Sequence, residues 1–257
     1  MQALFSRPVL AVLISLIVVA FDSDILAPLG IRPMFKGVPY GYSTFLNAFD
    51  IAAMALLVRL VGGVGWREIW RTVGLNQPAR AAMLMAVLIF APILALLAST
   101  SPPDPEAAPV GVAMTGLIFP IAEEIVFRGL AFGTLLVIAG WRLIPAMIAP
   151  AILFGFVHLA QGDDAMEAAG IFAITLAGGF FFGWLYHRWG RNLWPAIVMH
   201  AGLNTIWSLF ALGENAIGGW LGNALRAGAI AAAIVLTIWG LDWLRRMSGE
   251  AIRPETP

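Results

Sequence analysis

The stretch AEEIVFRG at 122–129 places Glu123, Glu124 and Arg128 inside an otherwise apolar segment running from Val110 to Ala139. On a helix, residues four apart lie one turn above each other on one face. Glu124 and Arg128 are so placed and can form an intrahelical ion pair. Glu123 then points elsewhere, as a carboxylate this pair does not neutralise. A carboxylate positioned beside a water is a candidate general base. Pro120, three residues ahead of it, has no N–H to give to Gly116, so the helix should bend or loosen just before the glutamates. Gly129 and Gly133 form a GxxxG face suited to close helix packing.

Two other apolar segments carry polar groups at the same spacing. LFGFVHLA, 153–160, puts Phe154 and His158 on one face, and PAIVMHAGLNTIW, 195–207, does so for His200 and Asn204. Taken singly, each has a plain reading. A histidine near a helix end is often an interface residue, and a His–Asn pair is often a helix-packing hydrogen bond. His187, beside Arg188, is expected at the surface. Three ionisable groups within six residues of one span are harder to explain as packing, because charges inside spans normally face a cavity or a partner.

These groups need elements to hold them, and composition says which kind. Of 257 residues, 60% are hydrophobic and 12% charged, with a mean hydropathy of +0.87. Soluble domains carry about 25% charged residues, so this chain cannot cover a water-facing surface of its size. The expected fold is all-α: a polytopic membrane helix bundle of about eight transmembrane helices, forming a single integral membrane domain over 1–257. The spans read as roughly 8–27, 43–63, 80–99, 111–139, 142–160, 167–187, 193–212 and 221–243, each near the ~20 residues that cross a bilayer. The first is the shortest, and a signal peptide competes with a retained helix there. A net charge of zero gives no reason to expect nucleic acid, and the absence of cysteine removes disulfides, thiolate nucleophiles and Cys-based zinc sites.

Loop charges test the span count. Arg7, then Arg67, Arg71 and Arg80, then Arg142, then Arg188 and Arg191, then Arg245 and Arg246 fall in alternate loops. The loops between them carry Asp104 and Glu106, then Asp163, Asp164 and Glu167, then Glu214, with Arg32 and Lys36 as exceptions. This alternation predicts an even number of spans and both termini in the cytoplasm, in a cytoplasmic (inner) membrane. GWREIWRTVGL, 65–75, reads equally as an interfacial helix or as a loop of belt aromatics. SPPDPEAAP, 101–109, is expected to be an extended outer linker.

Glu-Glu-x-x-x-Arg, then Phe-x-x-x-His, then His-x-x-x-Asn, on three apolar segments in that order, resembles the CAAX prenyl endopeptidase family, the type II CAAX proteases also called CPBP or Abi. The matching residues are Glu123, Glu124 and Arg128; Phe154 and His158; His200 and Asn204. The resemblance covers about 110–210 by motif. It implies an intramembrane glutamate-dependent endopeptidase in which Glu123 activates water and His158 helps to hold it. His200 and Asn204 would donate hydrogen bonds to the developing oxyanion, with Glu124, Arg128 and Phe154 ordering the site. It implies no cofactor, and a peptide or membrane-protein substrate met at the bilayer. Depth counting at ~1.5 Å per residue puts Glu123 and His158 roughly 24 Å from the basic ends of their spans, but His200 only about 10–13 Å, so the three do not come out level.

Other chemistries stay open. Two histidines and a carboxylate can bind zinc, although no HExxH pair is present. Ser208, two turns from His200 on one helix, is too far to pair with it. A transporter would also use intramembrane Glu, His and Arg, with Asp50 in the second span fitting such a path, but no internal repeat is visible. A non-catalytic membrane scaffold is the fourth reading.

Overall fold

The computed structural model describes residues 6–213 and 215–251, so Glu214 lies outside the described residues. Among those described, all regular structure is helical. We number the helices α1 (Arg7–Ala20), α2 (Asp22–Leu26), α3 (Gly41–Leu60), α4 (Trp66–Val73) and α5 (Arg80–Thr100). They continue with α6 (Pro109–Ile138), α7 (Leu143–Val157), α8 (Ala165–Arg188), α9 (Trp194–Phe210), α10 (Trp220–Trp239) and α11 (Leu241–Met247).

Helices α3, α5, α6, α8 and α10, and α7 together with the turn that continues it to Gln161, are long and apolar enough to cross a membrane. The first expected span is instead a pair bent by 76° between Arg7–Ala20 and Asp22–Leu29, and counting it as one gives seven. The break falls where Asp22 and Asp24 interrupt the apolar run. The expected span at 193–212 is α9, a helix of only 17 residues. It is held by its neighbours: Ala196, Ile197, Met199, His200 and Ala201 are all buried. The chain is therefore an integral membrane helix bundle, with α4 settling 65–75 as a helix whose Trp66 and Trp70 are exposed and whose Ile69 and Val73 are buried.

The core has two parts. One joins α1, α3, α4, the second half of α6, and α7 through Val12, Met54, Val58, Phe127, Leu135 and Ala146. The other joins α5, α8, α9, α10 and α11 through Met85, Ile89, Leu185, Met199, Ala229 and Leu244. Trp184 and Trp194 pack against both. Leu60, Val87, Ile144 and Trp239 face outward, as a bundle whose solvent is lipid tolerates.

One end of the bundle is stitched by hydrogen bonds between loops far apart in sequence. Arg7 Nε donates to the Val61 carbonyl at 2.9 Å, Asn192 Nδ2 to that of Pro78 at 2.8 Å and Trp194 Nε1 to that of Leu75 at 3.2 Å. The Ala81 amide donates to the Glu250 carboxylate at 2.8 Å. Arg7, Arg80 and Arg191 lie in or beside these bonded segments. At the other end the Asp104 amide donates to the Leu209 carbonyl at 2.9 Å, and Asn215 bonds Glu167. Gly74 is central to the basic end. It has φ +84°, and a Cβ there would lie 2.2 Å from the Arg191 carbonyl oxygen. Gly74→Ala should therefore lower the unfolding midpoint in detergent, at a cost of more than about 1 kcal/mol, whereas Gly65→Ala, where a Cβ meets nothing within 4 Å, should be near neutral.

Candidate active site

Helix α6 changes its winding around the glutamates. Residues 114–118 are wound wide, as a π-helix, followed by α-helical Phe119–Glu124 and a second wide segment, Ile125–Phe132. The missing donor of Pro120 falls at the start of the tight segment, so the loosening expected ahead of the glutamates is present. Wide turns of this kind leave carbonyls short of their normal helical partners. Here α9 supplies replacements: Asn204 Nδ2 donates to the Thr115 carbonyl at 3.3 Å and Thr205 Oγ1 to that of Gly116 at 3.2 Å. Gly116 lets the two helices close, since a Cβ on it would sit 2.7 Å from Thr205 Oγ1. Ser208 lies 3.2 Å from the Thr115 hydroxyl, in the same helix contact.

The ion pair read from the sequence is formed. Arg128 Nη1 donates to Glu124 Oε1 at 3.0 Å, and both residues are buried. The same Oε1 lies 2.8 Å from His200 Nδ1. A carboxylate already accepting from arginine can only accept, so His200 carries a hydrogen on Nδ1. The other ring nitrogen, Nε2, faces Glu123 Oε2 at 3.6 Å. Thus one histidine stands between the two carboxylates. They differ in access: the Glu124 side chain is 0% exposed and that of Glu123 26%. Of the two carboxylates, only Glu123 is partly open.

Aromatic rings frame this network. The Arg128 guanidinium lies 4.2 Å from the Phe154 ring centre and 5.1 Å from that of Phe182, where cation–π attraction partly replaces lost hydration. Phe182 stacks on His200 at 4.8 Å, and Phe154 meets His200 edge-on at 5.9 Å. His158 packs on Phe154 at 4.6 Å, and its Nδ1 lies 2.6 Å from the Phe154 carbonyl. A carbonyl only accepts, so this nitrogen too bears hydrogen.

All seven residues singled out from the sequence therefore belong to one connected region where α6, α7 and α9 meet. Two placements differ from expectation. The histidine next to Glu123 is His200. The uneven depth count does not keep the groups apart, since His200 lies between Glu123 and Glu124; α9 starts from a buried turn in which the Leu193 amide meets the Gly74 carbonyl. Phe182, Thr115 and Thr205 were missed. Phe182 sits in GGFFFGW, where the Gly179–Gly183 spacing marks close packing; a Cβ on Gly179 would press on Ala151 at 2.9 Å and one on Gly183 on Met147 at 3.0 Å. That closeness to α7 was the available signal that the intervening aromatics face the site. His187 is exposed, as expected. Among the described residues no three His, Asp or Glu side chains converge to hold a metal ion.

Residues 105–206 match the family model described as Type II CAAX prenyl endopeptidase Rce1-like. The matched span contains every one of the seven residues, and the family so described is one of endopeptidases. No curated protein and no solved structure matches the chain.

Proposed function

From an Rce1-like domain within a membrane helix bundle, we propose an intramembrane glutamic endopeptidase that hydrolyses a peptide bond in a membrane-associated substrate, a prenylated C-terminus among the candidates. The observation that carries this reading is the arrangement around His200: one carboxylate buried and ion-paired, the other partly open, and a single imidazole between them. Glu123 takes a proton from water as its oxygen bonds to the peptide carbonyl carbon, with His158 helping to hold that water. His200, protonated at Nε2, and the second N–H of Asn204 donate to the oxyanion. Collapse breaks the C–N bond, and Glu123 passes its proton to the leaving nitrogen. Glu124 and Arg128 fix the His200 ring, and Phe154 holds the guanidinium. The chain acts as one membrane domain with its motif core at about 110–210, seated in the cytoplasmic (inner) membrane with both termini cytoplasmic.

The test is cleavage of a quenched fluorescent lipidated-peptide panel by purified protein in detergent, with and without a strong chelator. Wild type should cleave in both conditions. Loss on chelation with recovery in zinc would replace the glutamic mechanism by a metal-dependent one, and ion flux without cleavage would favour a transporter. Asn204→Ala should lower kcat by about 10²–10³-fold, the usual cost of one oxyanion donor, with KM nearly unchanged. A KM-only effect would return Asn204 to a purely packing role against Thr115.

A further inference from the structure

A second polar site lies away from the glutamates. A cavity of about 360 Å³ is lined by Glu68, Arg71, Thr72, Asn76, Gln77, Val137 and Arg191. Its walls come from α4 and the turn after it, the far end of α6, and the turn between α8 and α9. Val137 is fourteen residues beyond Glu123, roughly 20 Å along the helix at ~1.5 Å per residue, so this is not the peptide site.

The cavity is built rather than incidental. Arg71 and Arg191, far apart in sequence, are held together by bonds across the walls. Tyr186 Oη donates to the Thr72 carbonyl, and the Arg191 amide donates to that of Tyr186 at 2.8 Å. Arg191 itself has φ +63°, a conformation that costs a non-glycine residue free energy and that the surrounding contacts must hold in place. Gly74 allows the Arg191 backbone to pass close by. Among the described residues no ion pair neutralises Arg71 or Arg191. With Glu68 counted, the lining has one excess positive charge.

Its level in the bundle is marked by α4, whose Trp66 and Trp70 are 53% and 55% exposed. Tryptophans so displayed beside arginines mark the headgroup layer of a bilayer. A phosphodiester carries one negative charge, and arginine forks bind phosphate oxygens in pairs. We propose that this cavity binds the phosphodiester headgroup of a phospholipid, with the phosphate on Arg71 and Arg191, polar headgroup atoms toward Asn76 and Thr72, and the acyl chains running down past α4.

The experiment is native mass spectrometry of the full-length protein in detergent, titrated with phosphatidylglycerol, phosphatidylethanolamine, diacylglycerol or glycerophosphate. Wild type should retain the two phospholipids at least about tenfold more tightly than the R71Q/R191Q variant. Arg142→Gln, which alters an exposed arginine elsewhere, should behave as wild type, and diacylglycerol should be retained equally and weakly by all three. Circular dichroism and the unfolding midpoint establish that the double variant is folded; if it is not, the R71Q single variant carries the same comparison with a smaller expected loss. Equal phospholipid retention by wild type and folded variants would overturn the proposal. So would diacylglycerol bound as tightly as phospholipid, which would make the contact apolar only, or glycerophosphate bound as tightly, which would make it a site for a soluble anion. Peptide cleavage is not the readout, so failure here leaves the protease reading untouched.

Discussion

Glu123→Gln should remove peptide cleavage, by at least about 10²–10⁴-fold, the usual contribution of a positioned general base, while leaving insertion and thermal stability unchanged. The two halves of this expectation have separate physical grounds. Glutamine keeps the shape of the side chain and leaves the buried Glu124–Arg128 pair intact, and Glu123 is the more exposed carboxylate, 3.6 Å from His200. Glutamine has no site basic enough to take a proton from water, so the first bond-forming step loses its acceptor. Single-turnover cleavage of the best substrate from the peptide panel, with unfolding monitored on the same preparation, measures both. Cleavage at the wild-type rate by a clean preparation would take Glu123 out of the mechanism.

Arg128→Met should act in the opposite way, first on stability. It leaves Glu124 as a buried carboxylate whose remaining partner is His200 Nδ1 at 2.8 Å. Removing one member of a buried pair costs about 3–5 kcal/mol, much of it the uncompensated charge left behind. Neutralising both members is far milder, so the double variant Glu124→Gln/Arg128→Met should regain much of the lost stability. It should not regain activity, because His200 has then lost the carboxylate that sets its ring. Arg128→Lys should rescue poorly: an ammonium lacks the flat face that Phe154 and Phe182 cover at 4.2 and 5.1 Å. Chemical unfolding in detergent gives the stability order. Wild-type stability in Arg128→Met would mean that the pair contributes nothing to holding the bundle.

What the sequence disclosed was governed by helical repetition. Glu124 and Arg128, Phe154 and His158, and His200 and Asn204 are each four residues apart, so each pair's common face follows from the geometry of one helix. The partners across helices do not follow from it. That His200 rather than His158 meets Glu123 depends on where α9 starts, which is set by Asn192 and Leu193 bonding to the loop at 74–78. Hydropathy located the long helices and also α9, expected at 193–212 and found at Trp194–Phe210, but it gave no sign of the 76° bend in the first span; α9 can be shorter than the others because its burial comes from protein neighbours. Pro120 signalled a disturbed helix, but the wide winding at 114–118 depends on Asn204 and Thr205 to satisfy its carbonyls, a bargain between residues 89 positions apart.

The ion pair on α6 also bears on the order in which the protein is made. Glu124 and Arg128 leave the ribosome together, whereas His200 follows 76 residues after Glu124. At about 5–20 residues per second that interval is roughly 4–15 s, during which α6 must already be partitioning into the membrane. A lone arginine or carboxylate at the centre of an inserting helix costs about 2.5–3.5 kcal/mol on insertion scales. Because the two charges neutralise each other within one turn, the nascent helix carries its own counter-ion while Phe154, Phe182 and His200 are still unmade. Separating the pair in sequence, even to positions that would meet again in the finished bundle, would expose the insertion step to both charges unshielded, and the loss would register as poor membrane integration before any folded protein existed to assay.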